Sequence, residues 1–342
     1  MMLWSFSSKP GWSAWTKTLF STAPADKQGA CFDGLRLLES ALEHKGVVSE
    51  AVRTREIIAK SVLSDSGISQ YAVNCYVGCL HSCVYCYARF MRRFTGHPEP
   101  WGRFLDVKVN APEVLQKEVK RRPPGKVILS SVCDGWQPAE RHYQLSRRCL
   151  QILVDAGFGV SILTKSALTA RDLDILRGYE PAEVGVTITT ADETLRAQIE
   201  PGASPTAARV EVLKAAASRG IRIYAFLGPF LPGLSDSDEN LDSLMSLLEG
   251  LPLTHIWVDR LNPRPGVWPS VAEFLRRHHS HLESRFAGSA SRRLFGRSDL
   301  VDFCRRVLYD AETRAVYSAD LSSRVRSIAA DHGLEPLLRI GF

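Results

Sequence analysis

The chain has 342 residues, and its 43 Lys and Arg residues against 37 Asp and Glu give a formal net charge of +6. Hydrophobic residues make up 45% of it, which is enough to bury the core of a globular protein. No run of about eighteen apolar residues exists, so we expect no membrane-spanning helix. The mild positive charge is compatible with a nucleic-acid substrate but does not predict one.

The cysteines are unevenly distributed along the chain. There are eight, and four of them lie between residues 75 and 86. This crowding favours metal binding in a reducing compartment over a disulfide framework. Residues 1–30 lack the apolar core and cleavage site of a secretory signal. We therefore expect a cytoplasmic protein whose residues 1–46 form a partly disordered N-terminal extension.

The central part of the chain alternates between two patterns. Apolar, β-branched runs predict strands at 70–76, 126–132, 159–165, 183–190, 221–228 and 255–261. Helical patterns separate them at 112–122, 143–156, 169–177, 206–218 and 238–248. This alternation predicts βα units and a parallel sheet. Right-handed crossovers curl such a sheet, and six units give a partial (β/α)6 barrel, short of the eight that close a full one.

The pattern changes at the turn-rich run Asn262-Pro-Arg-Pro-Gly266, after the sixth predicted strand. Helical runs follow at about 268–286, 298–307 and 312–331. We therefore predict a core at 47–262 and a C-terminal helical region at 263–342. That region is expected to cover the open side of the partial barrel or to form a small appended subdomain. Asp259 and Arg260 could face a substrate or form an ion pair at this junction.

Three cysteines follow the first predicted strand directly. Cys79, Cys83 and Cys86 are spaced C-x3-C-x2-C, at the strand end where α/β folds hold their chemistry. Three thiolates can hold three irons of a [4Fe–4S] cube and leave the fourth open to another ligand. The alternative is a structural zinc site that adds Cys75, although zinc sites usually pair two knuckles across a longer loop.

The wider run at 78–89, Gly-Cys-x-His-x-Cys-x-Tyr-Cys-Tyr-Ala-Arg, resembles the cluster loop of the radical S-adenosylmethionine (SAM) superfamily. It looks like the spore photoproduct lyase-like branch, and the resemblance extends over roughly residues 50–262. It implies a partial (β/α)6 radical SAM barrel and a [4Fe–4S] cluster on Cys79, Cys83 and Cys86. It also implies that SAM chelates the open iron. One-electron cleavage then gives a 5′-deoxyadenosyl radical that removes a hydrogen atom from the substrate.

The resemblance also implies cofactor-binding residues near the cluster loop. Asp134 matches the family in the run after the second strand, which should approach the methionine part of SAM. Lys165, at the end of the third strand, could hold the SAM carboxylate as a compact cation. Tyr85 could pack near the adenine or could simply be buried. Glu140 either belongs to the same site or caps the following helix.

Two further cofactor contacts are expected from the fourth strand onward. Thr187 or Thr189 could meet the SAM ribose through its hydroxyl. Glu200 could bind the SAM amino group, but it could equally pair with Arg209, which also matches a family position. The sequence alone leaves both choices open.

Cys133 is the candidate catalytic residue. In spore photoproduct lyases a cysteine on the second strand returns a hydrogen atom to the thymine radical, and the matching position here is Ser131. Residues i and i+2 share a strand face, so Cys133 could reach the same cavity; an inert buried thiol is the alternative. Cys75 stands where relatives tend to have Pro and is expected to be a packed thiol.

Three functions remain open from the sequence, and the displaced thiol position favours the first. The first is a radical SAM enzyme of this branch acting on another substrate, reduced by a flavodoxin or a ferredoxin. The second is a DNA repair lyase that reverses a thymine photoproduct, which needs base extrusion and a basic footprint. The third is a noncatalytic metal-binding protein. For the second function, the residues that could form the basic footprint on DNA are Arg89, Arg92, Arg93, Arg103, Lys117, Lys120, Arg121 and Arg122.

Overall fold

The computed structural model describes residues 52–278, 282 and 299–342. The predicted N-terminal extension at 1–46 lies outside these residues, as does part of the predicted helix at 268–286. None of the helices in the described part of the chain is long and apolar enough to cross a membrane.

An eight-stranded sheet forms the centre of the fold, in the spatial order β11-β10-β9-β8-β7-β6-β3-β2. Every neighbouring pair is parallel except β2 with β3. The six predicted strands correspond to β3 and to β6 through β10, which confirms the α/β class and the parallel sheet. The barrel is not closed. The strands of this sheet are β2 Leu63–Asp65, β3 Tyr71–Val73, β6 Lys126–Leu129, β7 Gly159–Thr164, β8 Ala182–Ile188, β9 Arg222–Phe230, β10 Leu253–Arg260 and β11 Leu338–Ile340.

Helices connect the parallel strands, as the periodicity predicts. The one at Asp238–Leu248 begins and ends where expected, and the Ser237 hydroxyl caps its start by accepting a hydrogen bond from the Asn240 amide. The predicted helix at 169–177 is instead a 3₁₀ turn, Ala167–Asp172, followed by one turn of helix, Leu173–Leu176. The others are Ala111–Glu118, Glu140–Tyr143, Leu145–Asp155, Glu193–Ile199, Thr206–Ala217, Val267–Arg277, Leu300–Tyr309 and Ala311–Asp331, with 3₁₀ helices at Tyr87–Phe94 and Glu335–Leu337.

A second, three-stranded sheet was not predicted. In it β5 (Phe104–Lys108) lies between β1 (Arg53–Ile57), which is parallel to it, and the short antiparallel strand β4 (Tyr76–Val77). Arg55 binds the buried Asp106 carboxylate across the β1–β5 pair, with Nε 2.7 Å from Oδ1. Because β4 leads directly into the cysteine run, this small sheet anchors the start of that loop.

The C-terminal region is joined to the main sheet. β11 pairs in parallel with β10 and so extends the sheet edge. The helix Ala311–Asp331 packs on the loop after β9, where the Tyr317 hydroxyl lies 2.9 Å from Asp236 Oδ2. Arg324 donates to the Asp236 carbonyl oxygen at 2.6 Å. These contacts hold the C-terminal helices against the core.

The curved sheet encloses two adjoining cavities. Side chains of alternate strand residues share a face, and Ile128, Leu163 and Phe226 line both cavities as an apolar middle layer. The second cavity, toward the amino ends of the strands, contains the Glu183–Lys126 ion pair. The first lies toward the carboxyl ends and contains the cysteine loop.

Candidate active site

The cysteine loop is held from three sides. Gly78 turns the chain with φ +96°, and a Cβ there would lie 2.4 Å from the Phe104 carbonyl oxygen. The Gln137 amide accepts from the Leu80 N–H at 2.9 Å and donates to the Gly78 carbonyl at 3.3 Å. On the far side, the Gly202 N–H donates to the His81 carbonyl at 3.1 Å. Gln137 therefore acts on the loop backbone.

The three predicted cluster ligands share one cavity. Cys79, Cys83 and Cys86 are free thiols, the first two buried and the third half-buried. All three line the cavity at the carboxyl ends of the strands, whose volume is about 180 Å³. Such an arrangement leaves the thiols directed at a common space that a ligand can share.

The structure places Cys75 apart from the other three cysteines, which does not favour the four-thiolate zinc alternative. The Cys75 sulfur lies 3.5 Å from the Cys149 sulfur on the helix Leu145–Asp155, and both are buried. Cys75 does not line the cavity. In the described part of the chain, no three His, Cys, Asp or Glu side chains converge closely enough for a single ion. A tetrahedral zinc ion would hold its thiolates about 2.3 Å from one centre.

Burial dominates the protonation of the three thiols. It raises the pKa of Cys79, and it raises the pKa of Cys83 to about 12. It also raises the pKa of Cys86, although the charges of Arg89 and Lys165 oppose this. The thiols therefore keep their protons until a metal displaces them, since metal coordination deprotonates a thiol.

The surroundings of the loop fit a polar, metal-bound cofactor. Few buried polar atoms in a native fold lack a hydrogen-bond partner. Four such atoms lie on or beside this loop: His81 Nδ1, Arg89 Nε, Trp101 Nε1 and Ser130 Oγ. His81 Nδ1 lies 3.4 Å from Asp134 Oδ2 without hydrogen-bond alignment. Unsatisfied donors and acceptors at this density are what a bound polar group would satisfy.

Asp134 joins the exits of two neighbouring strands. Its carboxylate accepts from the Trp136 N–H at 2.9 Å, the Thr164 hydroxyl at 2.9 Å and the Lys165 N–H at 2.8 Å. It also lines the cavity, with 7% of its surface exposed. Most of its acceptor capacity is thus used to fix the β6 and β7 ends, which places Lys165 and the loop at 131–133.

Three other predicted cofactor residues line the same cavity. Lys165, Thr187 and Tyr85 come from the β7 end, from β8 and from the cysteine loop. The Lys165 ammonium lies 5.8 Å from the centre of the Tyr85 ring. A cation, a hydroxyl and an aromatic face are therefore brought together beside the three thiols.

Glu200 does not line the cavity. It is fully buried and forms an ion pair with the fully buried Arg209, so the alternative that the sequence left open is the one the structure forms. Its carboxylate also accepts from the Tyr85 hydroxyl and, at 2.9 Å, from Thr189. Burial would raise the pKa of Glu200, but Arg209 and Lys165 outweigh it and hold that pKa below its usual value. The Glu200–Arg209 pair therefore holds the Tyr85 hydroxyl in place through the hydrogen bond to Glu200.

Glu140 is a helix cap. It is fully buried and accepts from the amides of Ser146 and Arg147 at 3.1 and 3.0 Å, at the start of the helix Leu145–Asp155. The Tyr76 hydroxyl of β4 also donates to it. Glu140 therefore supports the cysteine loop indirectly.

Cys133 lines the same cavity as the three predicted cluster ligands. The loop that carries it is held by Asn74, which the sequence analysis did not single out. The Asn74 amide oxygen accepts from the backbone N–H of Ser131 at 2.9 Å and of Val132 at 3.1 Å. The Cys133 sulfur lies 3.9 Å from the same oxygen. Burial raises the pKa of Cys133 to about 12, so its thiol carries hydrogen at neutral pH.

Asn74 is the site residue that the sequence analysis missed. It lies inside the predicted strand 70–76, and its side chain ends β3 at Val73 by binding the β6 exit. The asparagine in a β-branched run was the available signal, because asparagine is depleted in strands.

Comparisons with known proteins agree with this geometry. A family model described as the radical SAM superfamily matches residues 73–245. An uncharacterized protein of Methanocaldococcus jannaschii is 37% identical over 184 residues, covering 53% of this chain and 69% of that protein. One from Mycobacterium tuberculosis is 31% identical over 251 residues, covering 69% and 73% respectively.

A solved structure shares the fold. Spore photoproduct lyase complexed with dinucleoside spore photoproduct superposes with a TM-score of 0.57 at 15% identity, covering 84% of this chain and 82% of that one. That identity supports the fold only. The family match spans the cysteine loop and the β6, β7, β8 and β9 strands that surround the cavity. The chain therefore belongs to the radical SAM superfamily, whose cofactors, a [4Fe–4S] cluster and SAM, it uses.

Proposed function

We propose that this radical SAM enzyme carries out a spore photoproduct lyase-like reaction in the cavity at the carboxyl ends of the strands. In this proposal Cys133 is the group that returns hydrogen to the substrate. One observation carries it: Cys133 lines the same cavity as Cys79, Cys83 and Cys86, together with Lys165. A hydrogen donor has to reach the space in which the substrate loses its hydrogen.

In this proposal each residue around the cavity has a separate role. Cys79, Cys83 and Cys86 hold the cluster, and the Lys165 ammonium neutralises the SAM carboxylate. Thr187 bonds the ribose, and Tyr85 packs against the adenine, while Asp134 keeps Lys165 in place. When bound, the cluster and SAM supply hydrogen-atom abstraction from the substrate after one-electron reduction by a flavodoxin or ferredoxin. The buried walls exclude water, which would otherwise compete.

The thiol of Cys133 suits a hydrogen-atom donor because it is protonated. With its pKa at about 12, it keeps its hydrogen through the physiological range. Transfer breaks the S–H bond, forms a C–H bond on the substrate and leaves a sulfur-centred radical on Cys133. One electron from the flavodoxin or ferredoxin and one proton from solvent then restore the thiol in each turnover. Asn74 fixes the distance of this transfer through the 131–133 backbone.

The test is an anaerobic turnover assay with the cluster-loaded, reduced enzyme, SAM and a spore-photoproduct dinucleoside. We would follow 5′-deoxyadenosine and thymidine together in the wild type, Cys133→Ala and Cys304→Ala. Cys304 is a suitable control because it is buried against the Pro232 carbonyl, outside the cavity. Thymidine release that Cys133→Ala alone abolishes would support the donor role. Deoxyadenosine without thymidine would move the proposal to another substrate.

Reversal of a DNA thymine photoproduct is the second candidate. The fold shared with a lyase that binds a dinucleoside photoproduct favours it. The candidate basic footprint does not form one surface, however. Lys120, Arg121 and Arg122 lie shortly before the start of β6 at Lys126, at the opposite end of that strand from the cavity. Arg89 is directed inward and donates to the Cys83 carbonyl at 2.8 Å. This split favours a substrate smaller than a DNA duplex.

A further inference from the structure

A second segment, residues 97–106, packs against the cysteine loop. The His97 ring lies between two carboxylates, with Nδ1 3.0 Å from Glu99 Oε2 and Nε2 2.9 Å from Asp106 Oδ1. It also stacks on the Phe104 ring, with the ring centroids 4.2 Å apart. Phe104 in turn meets the Trp101 ring edge-on at 5.8 Å. This chain of ring contacts fixes the orientation of the Trp101 indole.

Trp101 belongs to a small buried group of side chains around two of the cysteines. This group contains Cys79 and Phe104, and Cys86 packs against it. Trp101 is only 6% exposed, so its indole N–H has no access to bulk water. A neighbouring backbone contact, from the Ser82 hydroxyl to the Gly102 carbonyl at 3.2 Å, ties the same segment to the cysteine loop.

The indole N–H is a donor without an ordinary acceptor. Nε1 is buried, and no oxygen or nitrogen accepts from it within the part of the chain that the structure describes. Two of the predicted cluster ligands, Cys79 and Cys86, lie in the same buried group of side chains as this donor. A buried donor left without any acceptor is destabilising, and a thiolate that holds the iron–sulfur cluster is an acceptor that would satisfy it.

We propose that Trp101 donates its indole N–H to a ligand sulfur, that of Cys79 or Cys86, when the iron–sulfur cluster is bound, and thereby raises the reduction potential of the iron–sulfur cluster. Reduction adds negative charge to the cluster and its ligands, and hydrogen bonds to the sulfurs stabilise that charge. The low local dielectric strengthens the effect. Trp101 is thus a positioning and tuning residue, and the proposal rests on the cluster assignment but not on the substrate or on Cys133.

The variant Trp101→Phe tests this most directly, because it keeps an aromatic ring and removes only the donor. We would titrate the reconstituted holoenzyme electrochemically under anaerobic conditions, without SAM, and follow the reduced cluster by electron paramagnetic resonance. We expect about three- to tenfold less reduced cluster at the same applied potential, which corresponds to about 30–60 mV for a one-electron couple. Trp268→Phe, an indole that packs on Tyr309, is the matched control and should not shift.

A potential for Trp101→Phe equal to the wild type, at equal iron content, would overturn the proposal. If the variant does not hold its cluster, the wild type still decides the question. Pulsed electron–nuclear double resonance of the reduced enzyme should show coupling to one indole nitrogen after ¹⁵N-indole labelling, with an exchangeable proton. Absence of that coupling would equally refute the hydrogen bond.

Discussion

The buried ion pair between Arg209 and Glu200 gives a quantitative test of how the cavity wall is held. Both side chains are fully buried, and Arg209 also donates to the carbonyls of Thr187 and Ser204, each at 2.8 Å. Arg209→Met leaves the Glu200 carboxylate without its cation. Breaking one side of a buried pair costs about 3–5 kcal/mol. The same change also loosens Tyr85, whose hydroxyl donates to Glu200.

This loss of unfolding free energy can be expressed as a decrease in melting temperature. An unfolding entropy of about 2.1 cal/mol/K per residue, over 342 residues, gives about 0.7 kcal/mol/K. Arg209→Met should therefore melt about 4–7 °C below the wild type by anaerobic calorimetry. The exposed pair of Lys214 with Glu211 is the control, because such pairs contribute about 0–1 kcal/mol. Lys214→Met should shift the melting temperature by about 1 °C at most.

A double variant separates the charge from the packing. Adding Glu200→Gln to Arg209→Met removes the stranded carboxylate, so it should recover part of the lost stability. If Arg209→Met melts within about 1 °C of the wild type, the reasoning on this pair is wrong. A double variant less stable than the single one would show that packing, and not charge, sets the cost.

Two further predictions follow from the walls of the site. Gly202→Ala would place a Cβ 2.2 Å from the Leu80 carbonyl oxygen, so the cysteine loop has to move; we expect the bound iron to fall by about half or more. Gly341→Ala, whose Cβ would come no closer than 3.5 Å to another atom, should keep its iron. Burial raises the pKa of Asp259 from 3.8 to about 6, so the folded state binds the extra proton and stability falls as pH rises through this window. Asp259→Asn should remove up to about 3 kcal/mol of that pH dependence, measured as urea midpoints between about pH 4 and pH 7; identical slopes in both proteins would contradict it.

The parts of the fold that were predictable depend on local pattern. The apolar, β-branched runs and the intervening helices are visible in short windows, and Ser237 marks the start of its helix. The three-stranded sheet was missed because its pairing is long-range. Arg55 and Asp106 look like surface charges in sequence, and only their contact across fifty-one positions makes Asp106 a core residue.

The same distinction between local pattern and long-range contact applies to the candidate site. The spacing of Cys79, Cys83 and Cys86 encodes a site within eight residues, so sequence was sufficient to find it. Whether Glu200 faces SAM or Arg209 depends on which side of its loop faces the cavity, and no local pattern reports this. Asn74 and Trp101 act on groups that are distant along the chain, and their roles follow only from the fold.

The central claim is that the three thiols hold an iron–sulfur cluster and that Cys75 does not take part. The direct measurement is the iron, acid-labile sulfide and zinc content of anaerobically reconstituted protein. The wild type and Cys75→Ala should each carry about four irons and four sulfides per chain. The variants Cys79→Ala, Cys83→Ala and Cys86→Ala should each lose them. Zinc without sulfide, or loss of iron in Cys75→Ala equal to that in Cys79→Ala, would contradict the account.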